Sequence, residues 1–218
     1  VNREPFLRTR AGRVALLAML AVDVFVLPVL LTMDLVPHRF GDVVFAGTMI
    51  VAIGAMGRGQ GRLLVMGVAV AAFLIQFFRF MAHSRAVVMA DALLSALAMG
   101  TFAVMVLRDV FRRDPIPDRL LDVILAYLLV GAAFAFAYEA VNVAMPGSLT
   151  MEGRAVTSAD YIYFSITTMT SVGFGDVLPR NPVMRAVAMS QALTGQLYVA
   201  VLIARFVNAN RAESGHSR

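Results

Sequence analysis

The chain contains no cysteine, which excludes disulfides, thiol catalysis and thiolate metal sites. It contains no lysine either: all 19 basic residues are arginine, a pattern that reads as coding bias rather than as a functional signal. No Ser-His-Asp set, metal-ligand cluster or nucleotide signature occurs, so nothing points to an enzyme and no organic cofactor is expected. The spacing Gly57-x-Gly59-x-Gly61 suggests a phosphate loop, but no strand precedes it and it reads as a flexible turn. The net charge of +5 suggests a nucleic-acid partner only until the arginines are placed. They are scattered along the chain rather than gathered on one face, and no nucleic acid is expected.

What is abundant is apolar surface. Of the 218 residues 60% are hydrophobic, and the mean hydropathy is +0.78. Soluble domains hold about 45–50% apolar residues. The chain is too apolar for a water-soluble globule and long enough for several spans of about 20 residues. Its hydrophobic runs predict six membrane spans, over 14–36, 40–57, 63–82, 86–111, 119–144 and 183–207. Charged or breaker-rich turns separate them. Arg112-Arg113-Asp114-Pro115-Ile116-Pro117-Asp118, with its two prolines and dense charge, is the best domain boundary. The first run is followed by span after span and reads as a retained helix rather than a cleaved signal. With the N-terminus inside, most arginines, among them Arg3, Arg8, Arg10, Arg13, Arg58, Arg62, Arg108, Arg112 and Arg113, fall on the cytoplasmic side, which predicts cytoplasmic termini. The expected organisation is a cytoplasmic N-terminus over 1–13, a four-helix peripheral unit over 14–112, a linker over 113–118, a second membrane unit over 119–208 and a cytoplasmic tail over 209–218.

The connection over 145–182 then lies outside the cell. Residues 146–157 read as a polar turret, Ser158-Ala159-Asp160 supplies N-cap chemistry, and 161–169 predicts a helix of about two and a half turns. Such a helix is too short to cross a bilayer and must end buried in protein or facing a water-filled cavity. The negative end of its dipole would favour a cation near the membrane centre. It leads into Thr170-Ser171-Val172-Gly173-Phe174-Gly175-Asp176, two glycines flanking an aromatic residue with a hydroxyl two residues before the first glycine. That pattern allows a short extended backbone to turn its carbonyl oxygens towards a common axis, where a ring of them can replace the hydration shell of potassium.

Thr167-Thr168-Met169-Thr170-Ser171-Val172-Gly173-Phe174-Gly175-Asp176 resembles the potassium-channel signature, whose usual form is Thr-Val-Gly-Tyr-Gly-Asp. Gly195 lies 20 residues after Gly175, where many bacterial potassium channels carry a hinge glycine, and 195–205 is similar to inner helices of small prokaryotic channels. The resemblance covers about 119–208 and implies a prokaryotic six-transmembrane potassium channel. The fold it implies is an all-α membrane protein of six transmembrane helices plus a re-entrant pore helix and selectivity filter, assembled as a homotetramer in the lipid of the bacterial inner membrane. It further implies potassium coordination by the Ser171 hydroxyl and by the carbonyls of Ser171, Val172, Gly173 and Phe174, with Gly175 closing the filter. Thr170, Asp176, Tyr163, Thr167 and Glu139 are its expected supports, and Gly195 its gating hinge. Ser171 replaces threonine and loses the methyl that restricts the side-chain rotamer. Phe174 replaces tyrosine and cannot donate a hydrogen bond. Thr167 stands where some relatives carry a glutamate, and Tyr163 where a tryptophan often stands; the Tyr163 hydroxyl is expected to reach Asp176. Glu139 admits two equal readings, a brace for the pore-loop backbone or an interfacial carboxylate facing water.

Six spans invite a voltage sensor, but the fourth span lacks an arginine ladder: 86–111 holds Asp91 and, at its end, Arg108 and Asp109. Moving one charge through 100 mV yields only about 2.3 kcal/mol, so several are needed. The short polar tail over 208–218 is expected not to fold as a ligand domain, and no soluble protein partner is expected. Gating at the filter, by lipid or by pH is what remains. Asp23 and Asp91 are intramembrane acids and so candidate sites by default. They admit proton sensing or, preferred, a structural pairing with Arg79 or Arg85 that holds the peripheral helices together. His38 and His83 read as interfacial. Two rival functions stay open: a non-selective cation channel, if serine and phenylalanine loosen the filter, and a transporter or inactive scaffold. The single re-entrant loop, without internal symmetry, argues against a transporter.

Overall fold

A proline sets the shape of the first membrane helix. In the computed structural model, which describes residues 10–33, 35–36, 47–48, 67, 70–71, 84–112 and 120–215, helix α1 (Arg10–Ala21) passes through one π-helical turn, Val22–Val26, into α2 (Leu27–Thr32). Pro28 has no amide proton, so the α-helical ladder is interrupted just ahead of it. The backbone takes up the mismatch as a π turn in which the Leu27 amide donates to the Val22 carbonyl. Helix α3 (Arg85–Arg112) starts at Ser84, and α4 (Leu120–Ala144) is apolar on every side, as a helix buried among others in a membrane must be.

Helices α3 and α4 pack along one another. Ala98, Met99, Phe102 and Ala103 of α3 meet Leu125, Ala126, Leu129 and Ala132 of α4, with Leu16 and Leu20 of α1 closing the cluster. In lipid, association rests on close packing rather than on escape from water, and the alanines let the backbones approach. Arg13 Nη1 on α1 adds an ion pair of 3.0 Å to Asp122 Oδ2 in the first turn of α4.

After α4 the chain forms strand β1 (Leu149–Met151), helix α5 (Ser158–Met169), strand β2 (Val177–Pro179) and helix α6 (Pro182–Gly215). β1 and β2 pair antiparallel with Leu149 opposite Pro179 and Met151 opposite Val177. This ladder corrects the all-α expectation. Gly147 and Gly153 take positive φ (81° and 80°), which folds the turret back onto the segment leaving Gly175. Strands of three residues carry no periodicity that a sequence can show. Asn181 links the collar to α6: its Oδ1 caps the Met184 amide at 2.7 Å and its Nδ2 reaches Ser148 Oγ at 2.5 Å. Pro182 occupies the first helical position, where no donor is needed.

Among the described residues, four helices are long and apolar enough to cross a membrane: Gly12–Leu31, Arg85–Arg108, Leu120–Ala144 and Pro182–Val207. They coincide with the predicted spans 14–36, 86–111, 119–144 and 183–207. The predicted spans 40–57 and 63–82 fall outside the described residues except for 47–48, 67 and 70–71, which are helical, and the linker over 113–118 falls outside entirely.

Helix α5 begins three residues earlier than the sequence suggests, at Ser158 rather than Tyr161. Thr157 is the N-cap, and Asp160 at the third helical position accepts from the Thr157 amide at 2.7 Å, completing a capping box. Arg154 grips both Asp160 oxygens at 2.6 Å each. Burial acts to raise the Asp160 pKa, but the hydrogen bonds from Arg154 and Thr157, with the Arg154 charge, outweigh it and hold the carboxyl below its ordinary value. Arg154 is 44% exposed, so solvent weakens the pair. Asp160→Ala is expected to destabilise the protein by about 1 kcal/mol, the worth of a capping interaction. Because the folded pKa is depressed, the stabilisation is present above the unfolded carboxyl range and is lost as pH falls through the folded value. Thermal unfolding in detergent should therefore separate wild type from variant at neutral pH, and the two should converge in acid.

Candidate functional site

Helix α5 ends within the protein, so its last four carbonyls need partners from outside the helix. All four have them. The Ile166 carbonyl receives the Thr170 amide at 3.0 Å and the Thr170 hydroxyl at 2.7 Å. The Thr168 carbonyl receives the Ser171 amide at 3.1 Å, and the Thr167 carbonyl receives the amides of Val172 (2.9 Å) and Gly173 (3.2 Å). The Met169 carbonyl accepts from the Tyr127 hydroxyl of α4 at 3.2 Å.

This cap decides where the glycine-rich segment points its oxygens. In a trans peptide the N–H of one residue and the C=O of the residue before it point in opposite directions. With the amides of Ser171, Val172 and Gly173 turned onto α5, the carbonyls of Thr170, Ser171 and Val172 are turned away from it. Left-handed φ values recur at every second position, 59° at Ser171, 50° at Gly173 and 81° at Gly175. Alternating handedness gathers successive amides on one side of the backbone, here around the Thr167 carbonyl. The two glycines adopt these angles without steric cost, whereas Ser171 is a non-glycine residue in a region L residues avoid.

Around this backbone the structure brings several predicted residues together. The Tyr163 hydroxyl donates to Asp176 Oδ2 at 2.8 Å, and Oδ1 of the same carboxylate accepts the Val177 amide at 3.0 Å. Burial and the Asp176 carboxylate both raise the Tyr163 pKa, which keeps the phenol a proton donor. The Phe174 ring stacks on Tyr163, with centroids 6.2 Å apart and planes 7° from parallel. Thr167 does not reach Asp176; its hydroxyl bonds back to the carbonyls of Tyr163 (3.0 Å) and Phe164 (3.2 Å), and its service to the segment is through its own carbonyl. Glu139 is 7% exposed on α4, which removes the water-facing reading.

Other residues were not visible in the sequence. The Tyr138 hydroxyl of α4 donates to Gln191 Oε1 of α6, Gln191 Nε2 donates to Ser165 Oγ of α5 at 2.6 Å, and Ser165 Oγ donates to the Gly131 carbonyl of α4 at 2.6 Å. Tyr138, Gln191 and Ser165 are fully buried, so the relay replaces water for every group in it. One signal was available: a glutamine amid an apolar span is expensive unless partnered. Tyr198 of α6 donates to the Val123 carbonyl and packs on Tyr127, 5.3 Å between ring centroids. Gln196 Nε2 lies 2.6 Å from Ser171 Oγ.

Gly195 sits within continuous α6, and a Cβ there would stand 2.2 Å from the Met169 carbonyl oxygen. The glycine is thus required for contact between α6 and the end of α5, a duty the hinge reading did not include. The peripheral charges are described in part. Asp23 is buried in the π turn and accepts from Thr48 Oγ1 at 2.7 Å, a hydroxyl partner the sequence did not suggest. Asp91 is buried on α3 and Arg85 is exposed at its start; Arg79 lies outside the described residues.

Residues 123–212 match a family described as ion channel. The two pore potassium channel c of Oryza sativa subsp. japonica is 33% identical over 86 residues, which cover 39% of this chain and 17% of that protein. The inward rectifier potassium channel Kirbac3.1 of Paramagnetospirillum magnetotacticum is 34% identical over 79 residues, 34% of this chain and 24% of that protein. The chain therefore spans less than a quarter of the length of either relative. No solved structure matches. These likenesses are to channels and not to enzymes, and the family match falls on the stretch that holds most of α4, all of α5 and most of α6.

Two glycine substitutions separate close packing from bending. At Gly131 an added Cβ meets the end of the Ile166 side chain at 2.9 Å, which can move, and otherwise makes ordinary contacts with the Met169 and Ser165 side chains. Gly131→Ala should be mild, while Gly195→Ala, which collides with backbone, should cost about 2 kcal/mol or more. Thermal unfolding in detergent checks this; equal, small losses at both positions would leave Gly195 without a packing role.

Proposed function

We propose that the chain is the subunit of a potassium-selective channel, four copies of which surround one axis in a bacterial plasma membrane and pass potassium passively down its gradient. The observation that carries this reading is the cap on α5. By engaging the amides of 171–173 it leaves a run of carbonyl oxygens facing away from the protein body, the arrangement that can replace a cation's water. The coordinating set is the Ser171 hydroxyl with the carbonyls of Ser171, Val172, Gly173 and Phe174, closed by Gly175. One chain supplies one side of such a site, and a closed ring needs cyclic copies. The exposed apolar surface agrees: Phe174 is 70% exposed, and Met189, Leu193, Leu197 and Ile203 along α6 present an apolar face that the single chain leaves uncovered.

Tyr163 and Phe174 stiffen the outer end of the filter through the ring stack and the bond to Asp176. Gating by arginines moving through the field is not supported, because the interior of α3 carries Asp91 and no arginine between Arg85 and Arg108. Arginine placement supports termini on the cytoplasmic side.

The test is reconstitution of the purified chain in liposomes. Wild type should conduct, with a reversal potential near the potassium equilibrium value in a potassium/sodium gradient. A reversal potential indifferent to which cation is on which side would support the non-selective reading instead. Gly173→Ala forces a side chain into the left-handed region, at about 1–2 kcal/mol per copy, and should abolish flux. Absence of flux in wild type as well would leave a membrane scaffold. Tyr163→Phe removes the hydroxyl donor while keeping the stacked ring, and currents should decay faster during sustained recording; unchanged decay would show that Asp176 is held well enough by Val177.

A further inference from the structure

Ser171 carries two problems that the residues around it must solve. Its φ of 59° lies where a β-branched residue is a genuine outlier, so the backbone favours serine over threonine at this position. Serine, lacking the methyl, is free to spread over three staggered χ1 wells. A hydroxyl that wanders among three directions is a poor ligand for a cation that has shed its water. The contact that addresses this comes from α6. Gln196 Nε2 donates to Ser171 Oγ at 2.6 Å, a short bond between side chains 25 residues apart.

We infer that Gln196 is a positioning and selectivity-determining residue, which holds the Ser171 hydroxyl in one rotamer so that its remaining lone pair faces the ion path. A serine hydroxyl has one proton and two lone pairs. Accepting the amide proton of Gln196 uses one lone pair, fixes the oxygen, and leaves the other free for a dehydrated cation. The neighbouring residue makes the reach attainable. Without a Cβ at Gly195, α6 lies against the Met169 carbonyl, two residues before Ser171, and this contact brings the next side chain of α6 to the serine. Gly195 and Gln196 thus act as a pair, one allowing the approach and the other using it. The inference rests on the channel reading given above and deepens it, since it names what prepares the innermost coordinating group.

The experiment is a double-mutant cycle on the full chain in liposomes, read as the potassium-to-sodium permeability ratio from reversal potentials. Gln196 is exposed in the single chain, so its substitution opens no hole in the core. Gln196→Leu should lower the ratio roughly threefold or more, the factor set by releasing a side chain into three wells. Ser171→Ala should lower it too, and Gln196→Leu added to Ser171→Ala should change nothing further, because the glutamine acts only through the hydroxyl. Gln196→Asn, too short to span the gap, should behave as Gln196→Leu does and serves where the leucine variant does not assemble. A selective wild type whose ratio is unmoved by both Gln196 variants overturns the inference, as does a Gln196→Leu effect that persists in full beside Ser171→Ala. A wild type that does not conduct overturns the channel reading itself, and the inference with it.

Discussion

A helix that stops inside a membrane protein must still satisfy its last carbonyls, and the second half of this molecule is organised by how α5 meets that demand. Lipid offers no donors. The chain answers with its own next residues: the amides of Thr170, Ser171, Val172 and Gly173 turn back onto Ile166, Thr167 and Thr168, and Tyr127 supplies the donor for Met169. The outward-turned carbonyls of the glycine-rich segment follow from the cap. What serves α5 as a C-terminal cap is, seen from the other side, an oxygen-lined wall.

Such a cap is useful only if α5 itself is held. At its start, Thr157, Asp160 and Arg154 secure the first turn, and the β1–β2 ladder ties the turret to the segment that follows Asp176. At its middle, Ser165 is locked by Gln191 from one side and leans on the Gly131 carbonyl from the other. At its end, Gly195 lets α6 rest on the Met169 carbonyl. Two of these holds, at Ser165 and at the Met169 carbonyl, link α5 to α6, so displacement of α6 bears on the end of α5 that carries 170–173.

Parts of this were legible in the sequence because their signals are local. The apolar runs of the four described spans, the short helix before the glycines, and the hydroxyl-x-Gly-aromatic-Gly-Asp pattern each fit within one window of chain. The Tyr163–Asp176 contact was anticipated, since both residues belong to that same segment. How Thr167 meets the segment was not legible: a threonine in the last turn of a helix turns its hydroxyl to a backbone carbonyl one turn back, and its own carbonyl takes the amides of Val172 and Gly173. For Asp23 the sequence suggested only arginine partners, because a buried acid invites a charge, and the hydroxyl of Thr48 that meets it in the π turn lies 25 residues away and could not be read locally.

By itself, the sequence determined that the chain is a membrane protein, where its apolar helices run, and which seven residues carry unusual backbone chemistry, because hydropathy and glycine placement act over short distances. Only the tertiary structure decided what those residues face. The Tyr138–Gln191–Ser165 relay draws on three elements, the β1–β2 ladder joins segments on either side of α5, and the contacts of Gly195 and Gln196 depend on the angle at which α6 crosses the end of α5. Close approach and hydrogen-bond direction are properties of two surfaces brought together, and no single stretch of chain contains both.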